Sequence, residues 1–393
     1  MAKIIGLSGN EAIAYAVKQC NVDVIAAYPI TPQTIMVEAI SEYIYNGEMD
    51  AEFICVESEH SALSACIGAS LAGARVFTGT ASQGLALMHE MLYIASGLRC
   101  PIVMGVANRA LSAPLNIHGD HSDMMGSRDC GWIQIYAENV QETYDWIIQA
   151  FKIAEDPRVL LPISVNIDGF VLSHCVENVM VLEDEEVARF LPPRKPLITI
   201  DPTKPITVGA ACLPDYYFEI KFQQFQALKE APKVIREVNR EYKRISGRKY
   251  DFVETYAIED AEAAILCLGS TAGTAKAVAK EIRMEGKKVG VIKPWIYRPF
   301  PKEDLITVLK NIKAIIVLDR ACSFGAPFNA LCSDVIATLY CYGKKDVKVF
   351  NCIYGLGGRD ITPMEIRDLF EEALEVARTG RVKEYVKFIG VRE

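Results

Sequence analysis

Five short stretches of this 393-residue chain gather residue types that do chemistry. Tyr28-Pro29-Ile30-Thr31-Pro32 presents one hydroxyl on a turn stiffened by its prolines, because proline fixes φ and biases the residue before it toward extended geometry. Such a turn suits hydrogen bonding to a small substrate, or is a plain structural turn. Glu57-Ser58-Glu59-His60 sets two carboxylates and a histidine ahead of a helical pattern, where acidic side chains complement the helix dipole. Thr80-Ala81-Ser82-Gln83-Gly84 is a third polar turn. In Asn108-Arg109-Ala110-Leu111-Ser112 the arginine follows an apolar run with no acid beside it. It can clamp a carboxylate through two parallel hydrogen bonds or make an ordinary surface ion pair.

The fifth stretch, His118-Gly119-Asp120-His121-Ser122-Asp123, concentrates metal-ligand types. A metal-dependent hydrolase using His118, Asp120, His121 and Asp123 is one chemistry to weigh. The histidines lack helical i, i+4 spacing, however, and His60, His89 and His174 are scattered. A catalytic zinc takes about three protein ligands, and the third is not evident here. A polar loop closing over a site, without a metal, is the better reading.

Positioning these turns falls to a repeated rhythm of apolar strand, polar turn and helical pattern over residues 1–190. The spacing predicts strands at Val22–Ala27, Phe53–Val56, Val76–Gly79, Ile102–Ala107, Gln134–Tyr136 and Leu160–Asn166. Helical patterns lie between them at Asn10–Gln19, Gln33–Tyr45, Ser61–Gly73, Leu85–Ser96 and Val140–Ala154. Alternation of this kind predicts an α/β fold whose parallel sheet is covered by helices on both faces. Ligands collect at the carboxyl ends of strands in such sheets, and the first four polar turns each follow a predicted strand. Phe53–Val56 reads as a buried strand. In the helix after it, Ala65, Gly68, Ala69 and Ala72 share one face, which predicts close packing against the helix backbone.

From Leu191 to about residue 257 the composition changes to a proline-punctuated connector and one long charged helix near Tyr217–Ile245. Alternation then restarts over 258–393, with strands near Ala264–Leu268, Val289–Ile292, Ala314–Leu318 and Val347–Cys352. Gly269-Ser270-Thr271-Ala272-Gly273-Thr274 has the look of a phosphate cradle but neither the Lys-Ser/Thr ending of a P-loop nor the dinucleotide spacing, so tight packing is the default. Tyr354-Gly355-Leu356-Gly357-Gly358-Arg359-Asp360 reads as an interdomain or subunit loop.

Composition narrows the class. The net charge is −8, with 51% hydrophobic and 23% charged residues. That describes an ordinary globular chain and argues against nucleic-acid or anionic-membrane surfaces, which need concentrated Lys and Arg. No run reaches the roughly 18 apolar residues of a membrane span, and no secretory leader pattern opens the chain, so the expectation is a cytoplasmic protein. The 12 cysteines contain no C-x-x-C pair, which argues against an iron–sulfur cluster held by this chain. Cys55, Cys66 and Cys267 sit in apolar runs, where a thiol acts as a small hydrophobe. Many free thiols suit a reducing interior.

The four turns in this order, followed by Gly119-Asp120-His121, Lys293-Pro294-Trp295 and the final glycine-rich loop, resemble the α subunits of the 2-oxoacid:ferredoxin oxidoreductase family, the pyruvate enzymes in particular. The resemblance covers nearly the whole chain. It implies a thiamine-diphosphate-enzyme pyrimidine-binding domain at 1–190, a linker with the long helix at 191–257, and a transketolase C-terminal-like α/β domain at 258–393. It implies that thiamine diphosphate is shared with a β subunit, and that Mg2+ and [4Fe-4S] clusters lie on partner subunits of β, γ and δ type. Coenzyme A is then a co-substrate, and ferredoxin accepts the electrons.

By the same resemblance, Glu59 is the catalytic glutamate that bonds the cofactor's aminopyrimidine, while Pro29 and Thr31 line the cofactor and substrate site. Thr31 contacts substrate, Arg109 binds its carboxylate, and Asp120 and His121 belong to an active-site loop of unassigned role. The implied reaction is oxidative decarboxylation of pyruvate to acetyl-coenzyme A. A branched-chain 2-oxoacid is the nearest rival substrate, and a non-catalytic scaffold subunit is the alternative from another class.

Overall fold

The structure, a computed structural model, describes residues 3–392. The chain opens with β1 (Lys3–Ser8) and alternates strands with helices through β2 (Val24–Ala27), β3 (Glu52–Cys55), β4 (Val76–Thr80), β5 (Ile102–Asn108), β6 (Ile133–Tyr136), β7 (Ile163–Asp168) and β8 (Val176–Val181). A connector and a 33-residue helix, Pro214–Ser246, follow. Then come β9 (Val253–Tyr256), β10 (Ala263–Leu266), β11 (Val289–Pro294), β12 (Ile296–Arg298), β13 (Ala314–Asp319), β14 (Lys348–Ile353) and β15 (Val386–Phe388).

The first sheet has the order β12-β6-β7-β5-β4-β2-β3, and from β6 to β3 every neighbouring pair is parallel. Its middle strands are apolar runs buried along their full length, β5 and β7 without a break, as two covered faces require. The second sheet, β15-β14-β13-β10-β11-β9, is parallel except where β9 runs against β11. The chain is therefore α/β, as its alternation predicts.

Three sequence expectations change. β3 is not buried: it is the edge strand of its sheet, and Glu52, Ile54 and Cys55 are exposed. Cys55 thus does not act as a core hydrophobe, unlike Cys66 and Cys267. The small-residue face of helix Glu59–Leu71 points outward, with Gly68 and Ala72 exposed and nothing within 4 Å of a Cβ built on Gly68. Leu63, Cys66 and Ile67 form the buried face instead, since they remove more apolar area from water. Finally, Leu85–Ser96 is two helices, Ser82–Leu87 and His89–Gly97, meeting at Met88.

Five strands escaped the periodicity, β1, β8, β9, β12 and β15. β1 and β8 form a separate antiparallel ribbon, and β12 returns from the C-terminal half to extend the first sheet beside β6. These pairings are set by which ladder groups are free, a tertiary matter. The long helix packs Val234, Ile235, Val238 and Tyr242 into the first core. Nearby, buried Asp145 is satisfied by Tyr242, Tyr250 and Arg248 at 2.5–2.7 Å. The helix's first turns carry Tyr216, Phe218, Phe222 and Phe225 exposed.

Candidate active site

The helix after β2 leads outward to β3, whereas the segment after β4 leads the other way to β5. Strand order therefore reverses between β2 and β4, the switch point where open α/β sheets leave a crevice. The turn Tyr28–Pro32 flanks one side of that crevice and Ala81–Gly84 the other. The N-terminus of helix Glu59–Leu71 approaches from β3, and the turn carrying Arg109 follows β5.

Ser58 caps helix Glu59–Leu71 by accepting the N–H of Ser61 at 3.2 Å, which makes Glu59 its first residue. That start decides between the two glutamates. Glu57 stays outside the helix, exposed, and accepts the Ser61 hydroxyl at 2.6 Å. Glu59 turns inward and is only 6% exposed. Among the described residues no side chain or N–H donates to its carboxylate. Its neighbours are the Thr80 hydroxyl, itself buried and unpaired, and Gly84. A Cβ on Gly84 would sit 2.5 Å from Glu59 Oε1 and 2.6 Å from Thr80 Oγ1, so only glycine leaves the carboxylate its place. Its oxygens are thus left free of protein donors, so a donor from a ligand in the crevice can reach them.

Across the crevice, Arg109 is buried yet pairs with no carboxylate. Its Nη1 donates to the Thr31 carbonyl at 2.8 Å and its Nε to the Asn116 carbonyl at 2.9 Å. Thr31 and Pro29 are exposed at the mouth, and the Thr31 hydroxyl makes no hydrogen bond among the described residues. The turn is held from below by Gln33, which accepts the Ile30 N–H at 3.2 Å and donates to the Gly79 carbonyl at 2.8 Å. Asn10 donates to the Pro32 carbonyl at 2.8 Å. Thr31 and Arg109 are thus brought together directly, and Glu59 joins them through the Thr80–Gly84 turn.

Asp123 ties that turn to Arg109. Its Oδ2 accepts the backbone N–H of Ser82 at 3.0 Å and of Arg109 at 2.9 Å, and its Oδ1 accepts Asn108 Nδ2 at 2.8 Å. Burial pushes its pKa up to about 6, despite these donors. Ser82 occupies a left-handed conformation, φ 48°, and its hydroxyl donates to the Ala110 carbonyl.

Asp120 and His121 both reach the second sheet's loops. Asp120 Oδ2 accepts the N–H of Gly357 at 3.0 Å, and Asn116 Nδ2 donates to the Gly357 carbonyl at 3.0 Å. The final glycine-rich loop is therefore an interdomain contact. His121 Nε2 lies 2.6 Å from Asp168 Oδ1, its backbone N–H donates to the Arg320 carbonyl, and Arg320 Nη1 stands 3.2 Å from the same Asp168 oxygen. Burial alone would raise the Asp168 pKa, but Arg320 and His121 hold it far below the carboxylate range. The loop resembling a phosphate cradle holds this anion: Ser270 donates its N–H to Asp168 Oδ2 at 2.9 Å, and Gly269, φ 67°, leaves room for it.

The hydrolase reading finds no support in this arrangement, since His121, Asp120 and Asp123 each bind a different partner. Among the described residues one acidic cluster has metal-like geometry, Glu138, Glu142 and Glu254. The buried ammonium of Lys293 fills it, at 2.6–2.7 Å from all three.

Sequence reasoning missed Gln33 and Asp168, placed Thr80 and Gly84 in a site turn without a role for either, and gave Asp123 only a metal role. Gly84, in the third polar turn, was the available signal, because glycine next to a strand end marks close approach. Asp168 ends an apolar strand and carried no local signal.

The family described as "Pyruvate flavodoxin/ferredoxin oxidoreductase, thiamine diP-bdg" matches residues 15–240, and "Pyruvate:ferredoxin oxidoreductase core domain II" matches 261–366. The pyruvate synthase subunit PorA of Thermotoga maritima is 49% identical over 99% of this chain and 98% of its own. That of Methanocaldococcus jannaschii is 52% identical over 94% of each. The ketoisovalerate oxidoreductase subunit VorA of Pyrococcus abyssi is 46% identical over 97% of this chain and 96% of its own. In fold, the chain is similar to a 2-oxoglutarate:ferredoxin oxidoreductase from Magnetococcus marinus, with TM-score 0.72 and 19% identity, covering 95% of this chain and 66% of that one. It is also similar to a split-gene transketolase, with TM-score 0.56 and 11% identity over 95% of this chain and 100% of that one. With both halves matched by its models and relatives alike end to end, this chain belongs to the pyruvate flavodoxin/ferredoxin oxidoreductase family.

Proposed function

We propose that the chain is the α subunit of a multisubunit 2-oxoacid:ferredoxin oxidoreductase that converts pyruvate and coenzyme A to acetyl-coenzyme A and CO2, passing two electrons to ferredoxin. The observation that carries the catalytic reading is Glu59, a carboxylate buried in the crevice with no donor of its own beside an unpaired Thr80 hydroxyl. That is the chemistry needed to meet the aminopyrimidine of thiamine diphosphate. When bound, that cofactor supplies an electron sink for loss of CO2 from a 2-oxoacid.

In this reading Glu59 would share a proton with the pyrimidine ring nitrogen, donating to it when protonated and accepting from it once the proton has moved. Gly84 and the helix cap at Ser58 fix the carboxylate. Arg109 orients the Thr31 turn through its carbonyl and offers its remaining Nη2 to the substrate carboxylate, so that orientation lowers the barrier. The Thr31 hydroxyl, free at the mouth, meets the substrate. Asp120 and His121 act at a distance, by locking the loop that carries Arg109 to the second sheet.

Mg2+ and the iron–sulfur clusters are assigned to partner subunits of β, γ and δ type, and coenzyme A binds as co-substrate. The exposed aromatics of the long helix and the open β3 edge support association with other chains. No described helix is long and apolar enough to cross a membrane, in keeping with a cytoplasmic enzyme. Pyruvate is preferred over a branched-chain 2-oxoacid because the pyruvate synthase subunits include matches of 49% and 52%, against 46% for the ketoisovalerate subunits.

The deciding experiment copurifies the chain with its partners and assays pyruvate, 2-oxoisovalerate and 2-oxoglutarate with coenzyme A and a viologen dye. Highest kcat/KM on pyruvate supports the proposal. A preference for 2-oxoisovalerate replaces the substrate, and no dye reduction with any 2-oxoacid overturns the class.

A further inference from the structure

At the amino ends of the first sheet's strands, away from the crevice at their carboxyl ends, lies a cavity of about 850 Å3. It is walled by the connector, the C-terminal end of helix Glu59–Leu71, the turn before β5 and the exposed start of the long helix. Its size falls among ligand sites, roughly 300–1,000 Å3. Most of its lining is apolar, including Leu71, Ile198 and Ile220.

The polar part of the lining is one-sided. Arg99, Arg194 and Lys221 all line the cavity, and no Asp or Glu does. Arg99 spends Nε and Nη2 on the carbonyls of Leu160 and Val159, leaving Nη1 without a partner among the described residues. Arg194 gives Nη1 to the Ala74 carbonyl and has Nε and Nη2 unused. The acid nearest in influence to Arg194 is Glu155, and both its oxygens are already taken by Arg75, at 2.7 and 2.9 Å. Lys221 donates to the Gln224 amide oxygen at 3.1 Å and lies over the Tyr217 ring, 5.7 Å from its centre, with no acid paired to it among the described residues. Burial lowers the pKa of both arginines, as expected for cations held away from carboxylates. Three cations without an anion, in an apolar cavity, are stabilised by a ligand that brings the missing charge.

We propose that this cavity is a second binding site, separate from the crevice, for an amphipathic anion: a carboxylate or phosphate group carried on an apolar body. The charged group sits among Arg99, Arg194 and Lys221, and the apolar body lies along the connector's isoleucines. The site is independent of the reaction assigned to the crevice.

Calorimetric titration of the assembled enzyme with octanoate, octyl phosphate and octanol tests the proposal, the two anions distinguishing carboxylate from phosphate. At least one anion should bind saturably at one site per chain, about tenfold or more tighter than octanol, and Arg194→Gln should remove that advantage. Lys221→Glu keeps the test open if Arg194→Gln fails to fold, because the Lys221 ammonium is held only by Gln224 and the face of Tyr217, on its own helix; it should weaken the anion and spare octanol. The proposal is overturned by absence of saturable binding, by equal affinity for anions and octanol, or by unchanged anion affinity in a folded variant. It is overturned too if the isolated full chain binds the anion and the assembled enzyme does not, which would show a partner polypeptide filling the cavity.

Discussion

The backbone N–H of Arg109 donates to Asp123 Oδ2 at 2.9 Å, and that same oxygen accepts the N–H of Ser82 at 3.0 Å. One buried carboxylate oxygen therefore sets the spacing between the turn that bears Arg109 and the turn that shapes the pocket around Glu59. Neither turn borders the other in sequence, and the loop that carries Asp123 comes after both.

Asp123 gives the pH prediction. Its pKa is raised in the fold from 3.8 to about 6 by burial. A carboxyl whose folded pKa is raised contributes stability below its unfolded pKa and loses it as pH rises through the folded value. Asp123→Asn removes that loss. The variant should gain on the wild type by about 3 kcal/mol between roughly pH 4 and pH 7, an order-of-magnitude figure from about 1.4 kcal/mol per pKa unit. Chemical denaturation of both proteins across that range checks it; parallel curves would mean that Asp123 is not the titrating group.

Glu59→Gln keeps the shape of the side chain and removes the charge that Glu59 brings to the crevice. In the assembled enzyme 2-oxoacid oxidation should fall by about 10²-fold or more, the scale of a lost acid–base group. Copurification with the partner subunits should be unchanged. Turnover near wild type would remove Glu59 from the catalytic assignment.

Gly84→Ala tests position without touching charge. The added methyl would meet Glu59 Oε1 at 2.5 Å and Thr80 Oγ1 at 2.6 Å, so the carboxylate must move. Displacement by about 1 Å costs on the order of 10²-fold in rate. Steady-state kinetics of a variant with a wild-type melting temperature reads this directly, and full activity would show that Glu59 need not be where the structure has it.

Arg109→Ala should act on substrate use, raising KM for the 2-oxoacid by about tenfold or more through loss of the carboxylate's charge-assisted bonds. Arg109→Lys should rescue little, because a single ammonium cannot span the Thr31 and Asn116 carbonyls as the guanidinium does. If KM and kcat were both unaltered in the alanine variant, the arginine would serve the turn alone.

Asp168→Asn breaks a buried pair, leaving Arg320 without its counter-charge, and His121 and Ser270 facing a neutral amide. Removing one partner of a buried pair costs about 3–5 kcal/mol. Thermal unfolding should shift down accordingly, and limited proteolysis should cut sooner in the connector between the two sheets. An unchanged melting curve would show that the clamp contributes little.

Much of the arrangement was legible in the sequence because strand–helix alternation fixes which sheet edge collects ligands. Polar turns after four apolar runs were enough to place Thr31, Glu59, Ser82 and Arg109 on that edge. Less legible were elements whose partners are remote. β12 joins a sheet formed more than 100 residues earlier, and β1 pairs with β8 across almost the whole first half. The exposed β3 shows the limit of composition, since Phe53–Val56 is apolar enough for a core and yet lies at an edge. Likewise Gly269–Thr274 carried an anion-binding appearance, but only the fold supplied the anion, as Asp168.

The sequence by itself determined the α/β class, the switch-point turns and the types of group they carry, because hydrophobic period and turn chemistry are local. Tertiary structure decided which groups face the crevice. A helix beginning at Glu59 sends that carboxylate inward and leaves Glu57 on Ser61, since each residue turns the side chain by about 100°. It also gave Asp120 and His121 their partners, Gly357 in a loop of the second sheet and Asp168 at the end of β7. Burial and partner choice depend on what the rest of the chain brings alongside, and no local pattern records that.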